Sequence, residues 1–216
     1  MSQTLEKPIS WLTDEDLELF CKALHRVYWN HTSVHKPRMS CYDFEMLARI
    51  QDACALRISE ALSLQVDDFD LDSMILTLHH TKTGWRKHAS CGGGGCVDCD
   101  FKGKVRSDQM TTIKPISGLK RWLGFKTGRV FPIHRNTALN YYKEAILEAG
   151  LKVMIPQRNR IIKNGSTHML RRSASMKMKS LGASDAIRRV KLRHKGDPLS
   201  HYDTDIIDLQ EWETNN

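Results

Sequence analysis

The stretch ALRISEALSLQVDDFDLD (residues 55–72) changes character half-way, and that change decides the fold class. Its first half, RISEALSL, keeps the apolar spacing of a helix and extends the helical pattern of SCYDFEMLARIQDACAL (40–56). Its second half, QVDDFDLD, is short and strand-like, and SMILTLHHT (73–81) and QMTTIKPI (109–116) are two more runs of that kind. Three such runs predict a small antiparallel sheet, with a cysteine- and glycine-rich insertion at 85–105 between its second and third strands. Helical patterns lie on both sides. LTDEDLELFCKALHRVYW (12–29) opens with Thr13 as an N-cap and acids in the first turn. SGLKRWLGF, TALNYYKEAILEAG, THMLRRSASMKMKSL, GASDAIRRVKL and LSHYDTDIIDLQEW follow the sheet, and NRIIKNGS (159–166) reads as an exposed basic loop. The fold class is mainly α with one small antiparallel β-sheet (α+β). Residues 1–10 read as a flexible N-terminus and 11–216 as a single domain without internal repeats.

Charge narrows the partners. The formal net charge is +8 and the sequence pI about 9.2, which favours a polyanion. Residues 151–202 hold 13 Lys/Arg against 2 Asp/Glu, whereas the tail 203–216 holds 5 acids and no Lys or Arg. That acidic tail either covers a basic surface or is a solvated terminus. No apolar run approaches the ~20 residues of a membrane helix, and the N-terminus lacks the pattern of a signal peptide, so a cytoplasmic protein is expected. Cys21, Cys41 and Cys54 sit singly in apolar helical segments as buried thiols, not as a secreted disulfide framework.

THMLRRS (167–173) concentrates hydrogen-bonding cations. On a helix, His168 and Arg171 share a face at i, i+3, with Arg172 beside them, while Leu170, Ala174, Met178 and Leu181 form an apolar stripe. A guanidinium fork suits phosphate oxygens, and an imidazole moves protons near neutral pH. Taken in chain order, Arg57, Lys82, His168, Arg171, His194 and Tyr202 make a set of arginine, lysine, histidine, arginine, histidine and tyrosine.

That set resembles the catalytic domain of the tyrosine recombinases, or phage-type integrases. The resemblance is carried by ALRISEALSLQVDDFDLD, by Lys82 in TKTG, by HMLRR, and by the ending LRHKGDPLSHY; GRVFP and NYYKEAILEAGL add to it. It covers roughly residues 12–210 and makes 11–216 a catalytic domain. It implies DNA strand cleavage and rejoining through a 3′-phosphotyrosyl intermediate, with Tyr202 as nucleophile. Arg57 and Arg171 would clamp the non-bridging oxygens, and His168 would accept a proton. Lys82 would be the general acid, and His194 a further hydrogen-bond donor to the phosphate. No cofactor serves the chemistry. Glu60 reads as a structural partner of its helix. Tyr28, Tyr42, Tyr141 and Tyr142 are the alternatives to Tyr202, of which Tyr28, Tyr141 and Tyr142 lie in amphipathic helices and read as packing residues.

Four departures stand out. His194 and Tyr202 are one residue closer than the family's usual spacing, with Pro198 between them. Arg193 stands where the family usually has glycine, and Arg172 where it often has histidine. Few residues precede the catalytic-like part, so this reads as a short form lacking the usual N-terminal core-binding domain. Arg172, Arg160 and Lys163 are candidate DNA-backbone contacts. The partners implied are double-stranded DNA, a homodimer or tetramer on it, no membrane, and an accessory DNA-binding protein in place of the absent domain; the place implied is the nucleoid. Ile206, Leu209 and Trp212 form a stripe that docks on a neighbouring protomer or on its own chain. A non-catalytic, zinc-containing DNA-binding regulator or excision factor derived from a recombinase is the alternative.

HASCGGGGCVDC (88–99) places His88, Cys91, Cys96 and Cys99 at H-x2-C-x4-C-x2-C spacing. Four such donors suit a tetrahedral structural zinc, with His79 or His80 as alternatives to His88 for the fourth position.

Overall fold

The computed structural model describes residues 11–31, 39–79, 85–87, 89–92, 94–102, 104–106, 108–151, 154–157, 160–163, 167–193 and 202–215. Two capped helices begin it, α1 (Asp14–Asn30) and α2 (Cys41–Ala53). Each is started by a reciprocal cap. Thr13 Oγ1 accepts from the Asp16 amide at 3.2 Å while Asp16 accepts from the Thr13 amide at 3.0 Å, and Ser40 and Asp43 repeat the arrangement. The helical pattern predicted to run on through RISEALSL is interrupted. Ala55 takes a left-handed φ of 50°, with the Leu56 amide bonded to Gln51 O and the Ala55 amide to Asp52 O. These two bonds close α2 as a Schellman turn. The short α3 (Ile58–Ser63) then starts afresh with Arg57 at its N-cap.

The small sheet follows as predicted. Strands β1 (Phe69–Asp70) and β2 (Ile75–Leu78) pair antiparallel, Phe69 opposite Leu76. The insertion is built on its own hairpin, β3 (Trp85–Lys87) with β4 (Lys104–Arg106). Strand β5 (Gln109–Thr112) then returns beside β2, with Leu78 opposite Gln109, giving the order β1-β2-β5. Leu76 and Leu78 alternate inward along β2, and the sheet's apolar face joins the core.

Beyond the sheet lie α4 (Leu119–Leu123) and α5 (Arg135–Glu148). Next come β6 (Met154–Gln157) and β7 (Arg160–Lys163), paired with Ile155 opposite Ile162. This hairpin corrects the expectation of a basic loop at 159–166. The polar Asn, Gly and Ser around RIIK suggested a loop, but Ile161 and Ile162 suit a strand, and the two-residue connection to β6 closes a hairpin. Arg160 and Lys163 therefore lie on a strand, and their side chains are outside the described residues.

The chain ends with α6 (Met169–Ser180), α7 (Asp185–Lys191) and α8 (Tyr202–Thr214). The main core gathers α1, α2, α3, α5, the start of α6 and the sheet. Phe44 stacks on Tyr141 with ring centroids 4.2 Å apart, and Phe20 meets Tyr142 edge-on. Leu170, Ala174 and Met178 are buried as the stripe predicted. Leu181 is not: it is the C-cap, one residue beyond the end of α6, and is 47% exposed. A second cluster is made by Met178, Ala183 and Leu209, with Ile187, Val190 and Trp212 packed on it, so the stripe on α8 docks on its own chain. Lys191 reinforces that contact. Its buried ammonium donates to Thr112 Oγ1 at 2.7 Å and to Thr112 O at 3.1 Å, and lies 2.8 Å from Glu213 on α8.

Candidate active site

Of the six residues expected to carry chemistry, the structure describes the side chains of three: Arg57, His168 and Arg171. Lys82 and His194 lie outside the described residues. Tyr202 is placed by its backbone, as the first residue of α8, and its side chain is outside them.

Arg57 and Arg171 are 114 positions apart in sequence and are brought together around one carboxylate. Glu60, at the third position of α3, reaches back to accept from the Arg57 amide at 2.8 Å, which starts the helix and fixes the loop before it. Its other oxygen accepts from Arg57 Nη1 at 2.5 Å. Arg171 Nη1 lies 3.6 Å from Glu60 Oε2, and a third guanidinium, from Arg193, donates to that oxygen at 2.9 Å. Burial pushes the Glu60 carboxyl up, but Arg193, the hydrogen bonds from Arg57 and the charge of Arg171 together hold it below the usual carboxylate range. Glu60, read from the sequence as a structural partner, is thus the hub of the arginine cluster.

Arg171 is buried within the first turn of α6. It donates to Ala55 O at 2.6 Å and to Leu192 O, and burial followed by the charges of Arg193 and Arg57 lowers its pKa to about 9. The left-handed turn at Ala55 is what aims that carbonyl at the guanidinium. His168 does not lie inside the helix as its spacing with Arg171 suggested; it is the N-cap of α6. Its backbone carbonyl accepts the Arg172 amide at 3.0 Å, and its ring lies on the exposed side. Burial of part of the ring, then the guanidiniums of Arg135, Arg171 and Arg57, lower its pKa below the ordinary histidine value. A neutral imidazole at neutral pH is the form able to accept a proton. Arg172 is half-buried beside it.

Gln51 holds these pieces in register. It is fully buried on α2, and its amide nitrogen donates to Leu56 O at 3.3 Å and Thr167 O at 3.2 Å, the residues just before Arg57 and His168. Its amide oxygen accepts from Tyr142 Oη at 2.8 Å. Neither Gln51 nor Arg135, whose charge acts on His168, carried a signal in the sequence. Arg193 was visible there only as a departure from glycine.

The arrangement gathers two guanidiniums around one carboxylate, close enough to His168 for their charge to lower its pKa, a set that suits a phosphodiester whose charge grows during reaction. The phage integrase family model matches residues 10–195 of the chain. The chain belongs to that family.

Solved structures agree on the fold of this integrase-family chain. The XerH site-specific recombinase bound to difH substrate is similar at 20% identity and a TM-score of 0.52, covering 94% of this chain and 50% of that one. The catalytic domain of bacteriophage HP1 integrase is similar at 17% identity and a TM-score of 0.53, covering 94% and 88%. The Tn1549 transposon integrase in complex with a circular intermediate DNA gives 10% identity and a TM-score of 0.55, covering 100% and 67%. The fold is that of tyrosine recombinase catalytic domains, and the chain spans about half the length of the XerH recombinase. No curated protein matches the chain.

In the insertion of this integrase-family chain, Cys91 ends one short 3-10 turn (Ala89–Cys91), and Cys96 precedes another (Val97–Cys99). The Gly95 amide donates to Cys91 Sγ at 3.3 Å. After Cys99 the chain reverses through two left-handed residues, Asp100 and Phe101, and the Phe101 amide bonds Cys96 O at 2.9 Å. A Cβ at Gly95 would sit 2.7 Å from Phe101 O, so glycine is required there. Among the described residues no three metal-capable side chains lie together; the side chains of His88 and Cys99 are outside them. His80 also lies outside, but His79 does not. Its two ring nitrogens are 2.7 Å from Asp108 and 3.2 Å from Asp68. Among the described residues no helix is long and apolar enough to cross a membrane.

Proposed function

We propose that the chain cuts and rejoins double-stranded DNA at specific sites through a phosphotyrosyl intermediate. The observation that carries this reading is the convergence of Arg57 and Arg171 on Glu60, with His168 at the head of α6. In the forward step Tyr202 Oη bonds to phosphorus as the bond from phosphorus to the 5′ oxygen breaks. The phenolic proton passes to His168, and Lys82 supplies a proton to the leaving 5′ oxygen. Charge on the non-bridging oxygens is met by Arg57 and Arg171, with His194 as an added donor. Attack by a different 5′-hydroxyl runs the step in reverse and rejoins the strand without external energy. The DNA complexes of XerH and of the Tn1549 integrase support DNA as the substrate. Two or four protomers on the site, an accessory DNA-binding protein and association with the nucleoid complete the reading.

The test is a nicked, strand-trapping DNA carrying the repeats that flank the gene. Wild type is expected to give a covalent protein–DNA band, and Tyr202→Phe none. Specific binding without a band from wild type would replace this reading with a non-catalytic DNA-binding regulator.

For the insertion we propose a structural zinc held by Cys91, Cys96, Cys99 and His88. The C-x2-C spacing, the amide donated to Cys91 Sγ and the tight left-handed reversal after Cys99 support it. About one zinc per chain is expected by elemental analysis, falling in Cys96→Ser; a metal-free wild type would remove the proposal.

A further inference from the structure

Arg193 is strained, buried and charged at once. It follows the C-cap of α7 with a left-handed φ of 49°, a conformation that strains a side-chain-bearing residue and that glycine adopts freely. Its amide closes the turn on Val190 O at 2.8 Å, a geometry glycine would satisfy equally well. What glycine would not supply is the guanidinium. That group is turned inward, with Nη1 donating to Cys54 O at 3.1 Å and Lys191 O at 2.9 Å, and Nη2 to Ala55 O at 3.0 Å and Glu60 Oε2 at 2.9 Å. Strain of this kind persists where something else depends on it.

Two of those acceptors also lie beside Arg171, which in addition donates to Leu192 O. Arg171 Nη1 bonds the same Ala55 carbonyl and lies 3.6 Å from the same Glu60 oxygen. A carboxylate in a low-dielectric pocket draws the closest cation into direct contact. Without Arg193, Glu60 Oε2 has room to pull Arg171 inward by the remaining fraction of an ångström and hold it there. With Arg193 in place that oxygen is already satisfied. Three guanidiniums against one carboxylate also leave a local surplus of two positive charges, which matches the dianion formed when a phosphodiester becomes five-coordinate.

We propose that Arg193 is a positioning residue: it occupies Glu60 Oε2 so that this oxygen does not draw Arg171 into direct contact, and Arg171 remains able to turn to the scissile phosphate. This rests on the strand-transfer reading above. Arg193 itself touches no substrate.

The experiment is a double-mutant cycle on the single-turnover cleavage rate of prebound, strand-trapping DNA. It uses wild type, Arg193→Gly, Glu60→Gln and the double variant, each checked for folding by circular dichroism and for DNA binding. Arg193→Gly is expected to slow cleavage on the order of 30-fold with binding unchanged, but less than about 3-fold when Glu60 is already glutamine. Arg193→Lys, which keeps a charge for Glu60, is expected to recover most of the rate. Equal losses in both backgrounds, or a lysine variant as slow as the glycine one, would assign Arg193 a packing role and overturn the proposal. Should Arg193→Gly not fold, Arg193→Met, which keeps the buried stem without the charge, is read in the same cycle. If wild type itself forms no adduct, the strand-transfer reading fails first and this proposal falls with it; a cleaving wild type with an additive cycle sinks the positioning role alone.

Discussion

Replacing Gln51 with leucine tests how the two halves of the site are held together. The change nearly conserves volume and leaves α2 intact, so its cost comes from polar groups left behind. Three would lose their partner in a fully buried place: Leu56 O, Thr167 O and the Tyr142 hydroxyl. At roughly 1–3 kcal/mol for each orphaned buried group, the loss is about 3–9 kcal/mol, a large part of a small domain's stability. The second half of the prediction is a rescue. Tyr142→Phe alone should cost about 1 kcal/mol, yet added to Gln51→Leu it should return about 1–2 kcal/mol, because it deletes one orphan. Urea unfolding of wild type, both single variants and the double variant gives all four values. The strand-trapping assay, run well below the transition, should show Gln51→Leu slowed more than its folded fraction explains, since Leu56 and Thr167 precede Arg57 and His168. A Gln51→Leu cost under about 1 kcal/mol, or costs that simply add with Tyr142→Phe, would refute the account of Gln51 as a buried bridge.

Leu209→Ala removes the centre of the small cluster that docks α8. The substitution is worth roughly 2–5 kcal/mol, and amide exchange should accelerate over 202–215 far more than over α1 and α2; unchanged exchange there would show that α8 is held by other contacts. His79 has its pKa raised, first by its hydrogen bond to Asp108, against the opposing effect of burial, with the charges of Asp108 and Asp68 adding to the rise. A raised folded value stabilises the protein below the unfolded pKa of about 6.5, and that contribution disappears as pH rises through the folded value. Melting temperature should therefore decline from roughly pH 6 to 9 in wild type more than in His79→Gln; parallel profiles would remove His79 as the cause. DNA affinity should fall steeply with salt, and Arg172→Ala should lower the slope of log affinity against log salt by about one phosphate contact; an unchanged slope would take Arg172 off the DNA backbone.

Much of this molecule is written locally. Thr13 and Ser40 each stand three residues before an aspartate, so the starts of α1 and α2 follow from hydrogen bonds within one turn. The alternation of Ile75, Leu76, Thr77 and Leu78 marks a half-buried strand by itself. The order of arginine, histidine, arginine and tyrosine motifs, with the helices between them, carried the family resemblance, because each motif is a short pattern readable along the chain. Elements whose neighbours lie outside their own run were less legible. β7 reads as a loop until β6 is set beside it, and Leu181 sits in register with a buried stripe but projects past the end of the core.

The site was legible as a set of residue types and not as an arrangement. Nothing near Gln51 in sequence shows that it will meet Thr167, 116 positions away, and nothing near Arg193 shows that its guanidinium will share Glu60 with Arg57 and Arg171. Hydrogen bonds inside a turn are determined by spacing, which the sequence states directly. A buried polar group takes whichever partner the packed helices bring within reach, and that choice exists only once α2, α3, α6 and α7 have closed on one another.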